Sequence, residues 1–239
     1  MSLSVRGLVA GRGKVPIVRN LDVDAPDGSV LAVLGPNGAG KSTVMLTLAG
    51  LLPRLGGEVL VDDKQLPSGN PARANRSGIV LVPDNRALFT GLTVADNISI
   101  ARRRRGGMSD AEVRELFPAL EARWKLAAGA LSGGEQQMLA VARALVQKPS
   151  VLLIDEMSMG LAPVIVESLL PTVRRIADTG GTTVVLVEQH VRLALEVADE
   201  ALVLVHGNVT LRGPAADLRK HPDRLQQAYF GGEPAQATS

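Results

Sequence analysis

The stretch Gly35-Pro36-Asn37-Gly38-Ala39-Gly40-Lys41-Ser42-Thr43 has the spacing G-x-x-x-x-G-K-[ST]. Before it runs Val30-Leu31-Ala32-Val33-Leu34, bounded by the Asp27-Gly28 turn. Continuous apolarity over so short a run fits a strand buried on both faces. After it, Thr43–Leu51 reads as a helix. Strand, glycine-rich loop and helix in that order make an anion site. Glycines let backbone N–H groups curl around phosphate oxygens without Cβ clashes, and the helix N-terminus adds positive potential. Lys41 is placed to reach β- and γ-phosphates, and the Ser42 hydroxyl to ligate Mg²⁺. A glycine-rich turn that merely carries a lysine leaves the flanking strand and helix unexplained.

Outward from this loop, two more short apolar runs follow, Val151-Leu152-Leu153-Ile154 and Val184-Val185-Leu186-Val187. Helical patterns lie between them: Glu135–Val146, ending before Pro149, and Val164–Ala177, ending before Gly180-Gly181. Buried strands alternating with helices predict an α/β fold with a mainly parallel sheet. Strand-like segments at Leu3–Val9 and Ile17–Val23 predict an antiparallel β subdomain at the N-terminus. From Thr93 to Ala128 the pattern is helix after helix and strongly charged, which predicts an inserted helical subdomain over about 88–131. One domain over 1–231 and a flexible tail over 232–239 complete the expected organisation.

The first apolar run after the insertion ends in Asp155-Glu156. Ligands of open α/β sheets sit at the carboxyl ends of strands, so this edge should face the phosphates. A carboxylate there suits Mg²⁺, the role expected of Asp155. The next can orient and deprotonate an attacking water, the role expected of Glu156. The same run by itself is a weak signal, since many strands end in a charged turn; downstream of the phosphate loop it becomes strong.

Bulk properties narrow the classes further. With 239 residues, 46% of them hydrophobic, a sizeable core can form, although aromatics are only 2%. The formal net charge of +2 is too small to argue for nucleic acid. Cysteine is absent, which excludes disulfides and cysteine-based metal sites. Met1-Ser2-Leu3-Ser4 does not open a signal-peptide pattern, and no run approaches the roughly 18–20 apolar residues of a membrane span. A soluble, cytosolic protein is expected, meeting a membrane only through a partner.

Leu131-Ser132-Gly133-Gly134-Glu135-Gln136-Gln137 opens the helix that follows the insertion. A hydroxyl and glycine N–H groups at a helix N-terminus form a second anion site, with Ser132 also able to cap. Here the chain resembles the ABC (ATP-binding cassette) ATPases, whose signature is L-S-G-G-[QE]. The resemblance implies ATP and Mg²⁺ as ligands. It also implies that Ser132, Gly133 and Gly134 close over the γ-phosphate held by a partner subunit. It runs from about Val5 to Phe230 and is similar to the LivF-type ATPases of branched-chain amino-acid importers. Leu116-Phe117-Pro118, Gln136-Gln137-Met138, Gly160-Leu161-Ala162-Pro163, Leu186-Val187-Glu188-Gln189 and Arg192-Leu193-Ala194-Leu195 carry that similarity. It implies a second, different ATPase (LivG-like), transmembrane permease subunits and an external solute-binding protein as partners, with no nucleic acid. It places the chain in the cytoplasm, on the inner face of the membrane. ATPases of urea and amide importers share the branch, so the solute stays open.

The chain departs from the family pattern at four places. Arg12 stands where an aromatic residue stacks on adenine, and a guanidinium can stack on a purine or remain in solvent. Asp84, in Val82-Pro83-Asp84-Asn85-Arg86, stands where the family has a longer glutamine or glutamate that helps hold Mg²⁺; the shorter carboxylate holds the ion through water or is a loop acid in a turn with Pro83 and Asn85. Met157 replaces a proline after the catalytic glutamate. The switch histidine position falls on Gln189 or on His190; neighbours at a strand end point in different directions, so one of them faces the γ-phosphate. The run Arg102-Arg103-Arg104-Arg105 reads as a solvated face or as a patch near permease or anionic headgroups. Non-transport ABC ATPases fit less well: no sustained heptads interrupt the cassette between Gly50 and Leu131, and there is one phosphate cradle. A regulatory nucleotide-binding subunit with little turnover is the third reading, opposed by Lys41 and Glu156.

Overall fold

The apolar run Val30–Leu34 is a strand with every residue buried, as its composition demands. A computed structural model describes residues 2–102 and 107–230; Arg103–Arg105 and the expected tail over 232–239 lie outside the described residues. In chain order come strands β1 (Leu3–Arg12), β2 (Val15–Ala25) and β3 (Val30–Leu34), then helix α1 (Lys41–Leu48). Strands β4 (Arg54–Val61) and β5 (Lys64–Gln65), helix α2 (Pro71–Arg76) and strand β6 (Ile79–Val82) follow. A helical stretch holds α3 (Val94–Ala101), α4 (Asp110–Leu116), α5 (Pro118–Glu121), a 3-10 turn at Ala128–Ala130 and α6 (Gly133–Leu145). Next are β7 (Val151–Asp155), α7 (Pro163–Gly180), β8 (Thr183–Val187) and α8 (Val191–Val197). Strands β9 (Glu200–Val205) and β10 (Asn208–Pro214) and helices α9 (Ala215–Lys220) and α10 (Pro222–Tyr229) complete the order.

Two sheets form. The antiparallel one has the order β2-β1-β4-β5, and the larger one the order β10-β9-β3-β8-β7-β6. In the larger sheet only the β10–β9 pair is antiparallel. The α/β class with a mainly parallel sheet and an N-terminal antiparallel part is therefore the observed fold. Strands β3, β7 and β8 are buried along their whole length. Their shared direction brings Leu34, Asp155 and Val187 to one edge.

Between Thr93 and Ala128 the described residues hold helices and one isolated antiparallel bridge, Thr93 with Ala127. Capping boxes start α3, α4 and α6: Thr93 with Asp96, Ser109 with Glu112, and Ser132 with Glu135. Phe117, Leu120 and Val113 of this stretch join the same buried cluster as Leu152 and Ile154 of the sheet. Asn97 is fully buried and ties α3 to the preceding loop through Phe89, Leu92 and Thr93. Arg102, the described member of the arginine run, pairs with Asp110.

Element ends differ from the sequence expectation for local reasons. Helix α1 begins at Lys41 and stops at Leu48 rather than Leu51, because Gly50 turns into the left-handed region at φ +72°. Helix α6 begins at Gly133 because the Ser132 capping box sets its start. No described helix is long and apolar enough to cross a membrane.

The turn between β9 and β10 joins the two sheets. Gly207 N donates to the Ala39 carbonyl at 3.1 Å, and Arg19 N donates to the Gly207 carbonyl at 2.9 Å. A Cβ on Gly207 would lie 1.7 Å from the Ile17 carbonyl oxygen, and φ is +79°. Gly207→Ala is therefore expected to destabilise the chain by roughly 2 kcal/mol or more. Chemical denaturation would measure this, and a loss below about half a kcal/mol, the range of an ordinary surface substitution, would contradict it.

Candidate active site

The phosphate loop leaves β3 through Gly35 (φ +143°), where a Cβ would come 2.0 Å from the Leu204 carbonyl oxygen. It enters α1 through Gly40 (φ +107°), where a Cβ would come 2.5 Å from Val18 Cγ2. Gly40 supplies no capping side chain, so the first N–H groups of α1 lack side-chain acceptors. Beside the loop lies an open cleft of about 380 Å³ lined by Arg12, Ile17, Asn37, Gly38, Gly40, Lys41, Ser42, Thr43 and Glu156. The expected Gly35, Pro36 and Ala39 are not part of this lining. Ala39 is buried at 2% exposure and uses its carbonyl to hold Gly207.

Lys41 is buried, and its Nζ donates to the carbonyls of Gly35 at 2.8 Å and Pro36 at 3.0 Å. Burial lowers its pKa, while the charges of Glu156 and Asp155 act the other way. Ser42 Oγ donates to Asp155 Oδ1 at 3.2 Å. Burial pushes the Asp155 carboxyl up to about 6, and the charges of Glu156 and Asp84 add to that; the Ser42 hydrogen bond and Lys41 oppose it. Asp84 is exposed, with Oδ1 accepting Asn85 N at 2.7 Å.

Glu156 sits just past β7 with φ +50°, unusual for a residue with a side chain. Its Oε2 accepts Gln189 Nε2 at 3.0 Å. His190 is the N-cap residue just before α8 and makes no side-chain capping bond. Of the two switch candidates, Gln189 is the one bonded to Glu156. Met157 is buried at 1% exposure within the main core, so an apolar anchor occupies the place expected for proline.

Ser132 Oγ accepts Glu135 N at 3.3 Å, and Glu135 Oε2 accepts Ser132 N at 2.8 Å. Arg123 holds the same carboxylate at 2.9 Å. A Cβ on Gly134 would come 2.7 Å from Ile165 Cγ2, and one on Gly133 would come 3.2 Å from Leu161 Cδ2. None of Ser132, Gly133 and Gly134 lines the cleft beside Lys41.

Two connections escaped the sequence reading. Arg86 (φ +62°) donates to Gln137 and Gln136 at 3.0 Å each and to the Met159 carbonyl at 3.5 Å. It thus clasps the Asp84 loop to α6 and to the segment after Glu156. Glu188 is fully buried and accepts Ser158 N at 3.0 Å, Ser158 Oγ at 2.5 Å and Gln189 N at 3.2 Å. Burial raises its pKa and these three hydrogen bonds lower it. A carboxylate directly after an apolar strand was a signal for Glu188; Arg86 carried none.

Fold and phosphate loop define a P-loop nucleotide-binding protein. Residues 18–159 match the family model described as ABC transporter. The chain is 37% identical over 228 residues to the high-affinity branched-chain amino acid transport ATP-binding protein BraG of Pseudomonas aeruginosa, covering 92% of this chain and 95% of that protein. It is 38% identical over 231 residues to the probable branched-chain amino acid transport ATP-binding protein LivF of Archaeoglobus fulgidus, covering 94% and 96%. A solved structure of an ATP-binding subunit of an ABC transporter superposes with a TM-score of 0.80 at 24% identity, covering 97% of this chain and 99% of that one. The chain belongs to the ABC transporter family, as an ATP-binding subunit with ATPase activity.

The raised Asp155 pKa makes the stability of the fold depend on pH. Folded Asp155 protonates near 6 and its ordinary value is 3.8, so between them the folded chain binds more protons. Stability therefore falls as pH rises through this window, and the penalty is complete above it. Without nucleotide, Asp155→Asn should be more stable than wild type near neutral pH, with the gap closing as pH drops from about 6 to about 4. Thermal denaturation across pH checks this; a gap independent of pH would contradict it.

Proposed function

We propose that this chain is the ATP-hydrolysing subunit that powers an ABC importer for branched-chain amino acids or a related small polar solute. The meeting of Lys41, the Ser42–Asp155 pair and the Gln189–Glu156 pair on one sheet edge supports the motor chemistry. The likeness to BraG and LivF over nearly their whole length supports the solute class.

Lys41 exchanges the Gly35 and Pro36 carbonyls for the β- and γ-phosphates of ATP. Free N–H groups of α1 hold the remaining phosphate oxygens. Arg12 lies along the same cleft and supplies a planar cation for the adenine face. Oxygen is the only donor type that Ser42, Asp155 and Asp84 offer, the set that a hard cation takes. These residues fit Mg²⁺: Ser42 and Asp155 would hold it, with Asp84 reaching through water. When bound, Mg²⁺ neutralises developing charge on the phosphates. Glu156 takes the proton of the attacking water, and Gln189 fixes the carboxylate that does so.

Ser132, Gly133 and Gly134 close over the γ-phosphate bound by a second ATPase subunit, a LivG-like chain. Closure is driven by the difference in γ-phosphate affinity between open and closed pairs. Transmembrane permease subunits and an external solute-binding protein complete the assembly, which places this chain in the cytoplasm against the inner face of the membrane.

Glu156→Gln keeps size and a water contact but cannot take a proton. ATP binding should persist while turnover falls by about a hundredfold or more. ATP titration and steady-state phosphate release check both halves, and near-normal turnover would assign the base to another group. Ser132→Phe should leave ATP binding by the isolated chain intact and suppress ATPase activity of the reconstituted complex, because the partner's γ-phosphate loses donors. Loss of ATP binding in the isolated chain would mean that this loop serves its own nucleotide.

A further inference from the structure

We propose that Tyr229, the last residue of α10, is a positioning residue of the phosphate loop, holding the Gly35 N–H on its phenol oxygen at 3.0 Å. This rests on the reading of residues 35–43 as the ATP phosphate cradle and adds to it a residue that no motif contains.

The need for such a partner follows from where β3 ends. Leu34 is the last residue paired in register with β9, opposite Val203, and Gly35 leaves the ladder with φ +143°. Its backbone is pressed on Leu204, where a Cβ would lie 2.0 Å from the carbonyl oxygen. An N–H in so crowded a place costs stability if it is left without an acceptor. Tyr229 supplies that acceptor from 194 residues away.

The phenol is held in place by its helix. Leu225 and Ala228 of α10 are buried in one cluster with Leu34 and Val203, and Tyr229 packs against it. Thr210 Oγ1 on β10 donates to the Ala228 carbonyl at 3.2 Å. Burial pushes the Tyr229 phenol above its ordinary value, so it stays neutral and keeps lone pairs for the Gly35 N–H.

The bond acts on Lys41 through Gly35. Gly35 donates its N–H to Tyr229, and its own carbonyl accepts Lys41 Nζ at 2.8 Å. Tyr229 therefore fixes the residue against which the lysine rests before phosphate arrives. Glu156 and Gln189 stand at the ends of other strands and are untouched by the bond. Its loss should weaken nucleotide binding and spare the chemical step.

Tyr229→Phe removes one oxygen and keeps the ring. Calorimetric titration of the full chain with Mg-ATP should show affinity reduced about three- to tenfold, the effect of one hydrogen bond. In the reconstituted transporter KM for ATP should rise with kcat unchanged. Thr210→Val loosens the same helix without touching Gly35 and should bind Mg-ATP as wild type does. Unchanged affinity in Tyr229→Phe would overturn the assignment. Equal weakening in both variants, or a Tyr229→Phe chain that no longer folds, would also overturn it, because either result reports general support by α10. Wild type and Lys41→Ala are titrated alongside: absence of Mg-ATP binding in wild type would overturn the cradle reading itself, a result distinct from failure of the Tyr229 bond alone.

Discussion

A parallel strand buried on both faces can carry polar chemistry only at its ends. Strands β3, β7 and β8 are sealed along their whole length, so every charge they deliver appears where the chain leaves the sheet. Lys41, the Asp155-Glu156 pair and Gln189 are therefore neighbours although they come from three separate segments. The same apolar walls make the site electrostatically sensitive. Burial raises the Asp155 carboxyl and lowers the Lys41 ammonium, so each is more stable beside the other's charge than alone.

Around this edge the remaining architecture is a set of fasteners. The His206–Gly207 turn holds the antiparallel sheet against Ala39 of the phosphate loop. Arg86 gathers the Asp84 loop, the start of α6 and the segment after Glu156. Glu188 joins that same segment to Gln189 through Ser158. These contacts connect the segment after β7 to the start of α6, although Ser132 does not line the cleft beside Lys41. The helical stretch shares one buried cluster with α6 and with the sheet.

The α/β class, the phosphate loop and the acidic strand end were legible in the sequence because each depends on local pattern: apolar runs, glycine spacing and a carboxylate at a fixed offset. Helix starts at Thr93, Ser109 and Ser132 are set by a hydroxyl followed three residues later by an acid, a local signal that the expected helix start at Glu135 passed over. Gln189 and His190 could not be separated by counting, since adjacent residues differ only in direction, and direction is a property of the folded strand end. Arg86 and Tyr229 were invisible for another reason. Their partners lie 50 and 194 residues away, and no periodicity links a guanidinium or a phenol to an acceptor at such distance.

The left-handed backbone of Glu156 has a consequence for how this protein can change. A residue with a Cβ in that region costs about 1 kcal/mol, and glycine would relieve it. Selection for heat resistance alone would favour glycine there and discard the carboxylate, while selection for work retains the strain. Robustness and turnover thus pull on one backbone angle in opposite directions, and an engineer seeking a hardier chain has to find the compensation elsewhere.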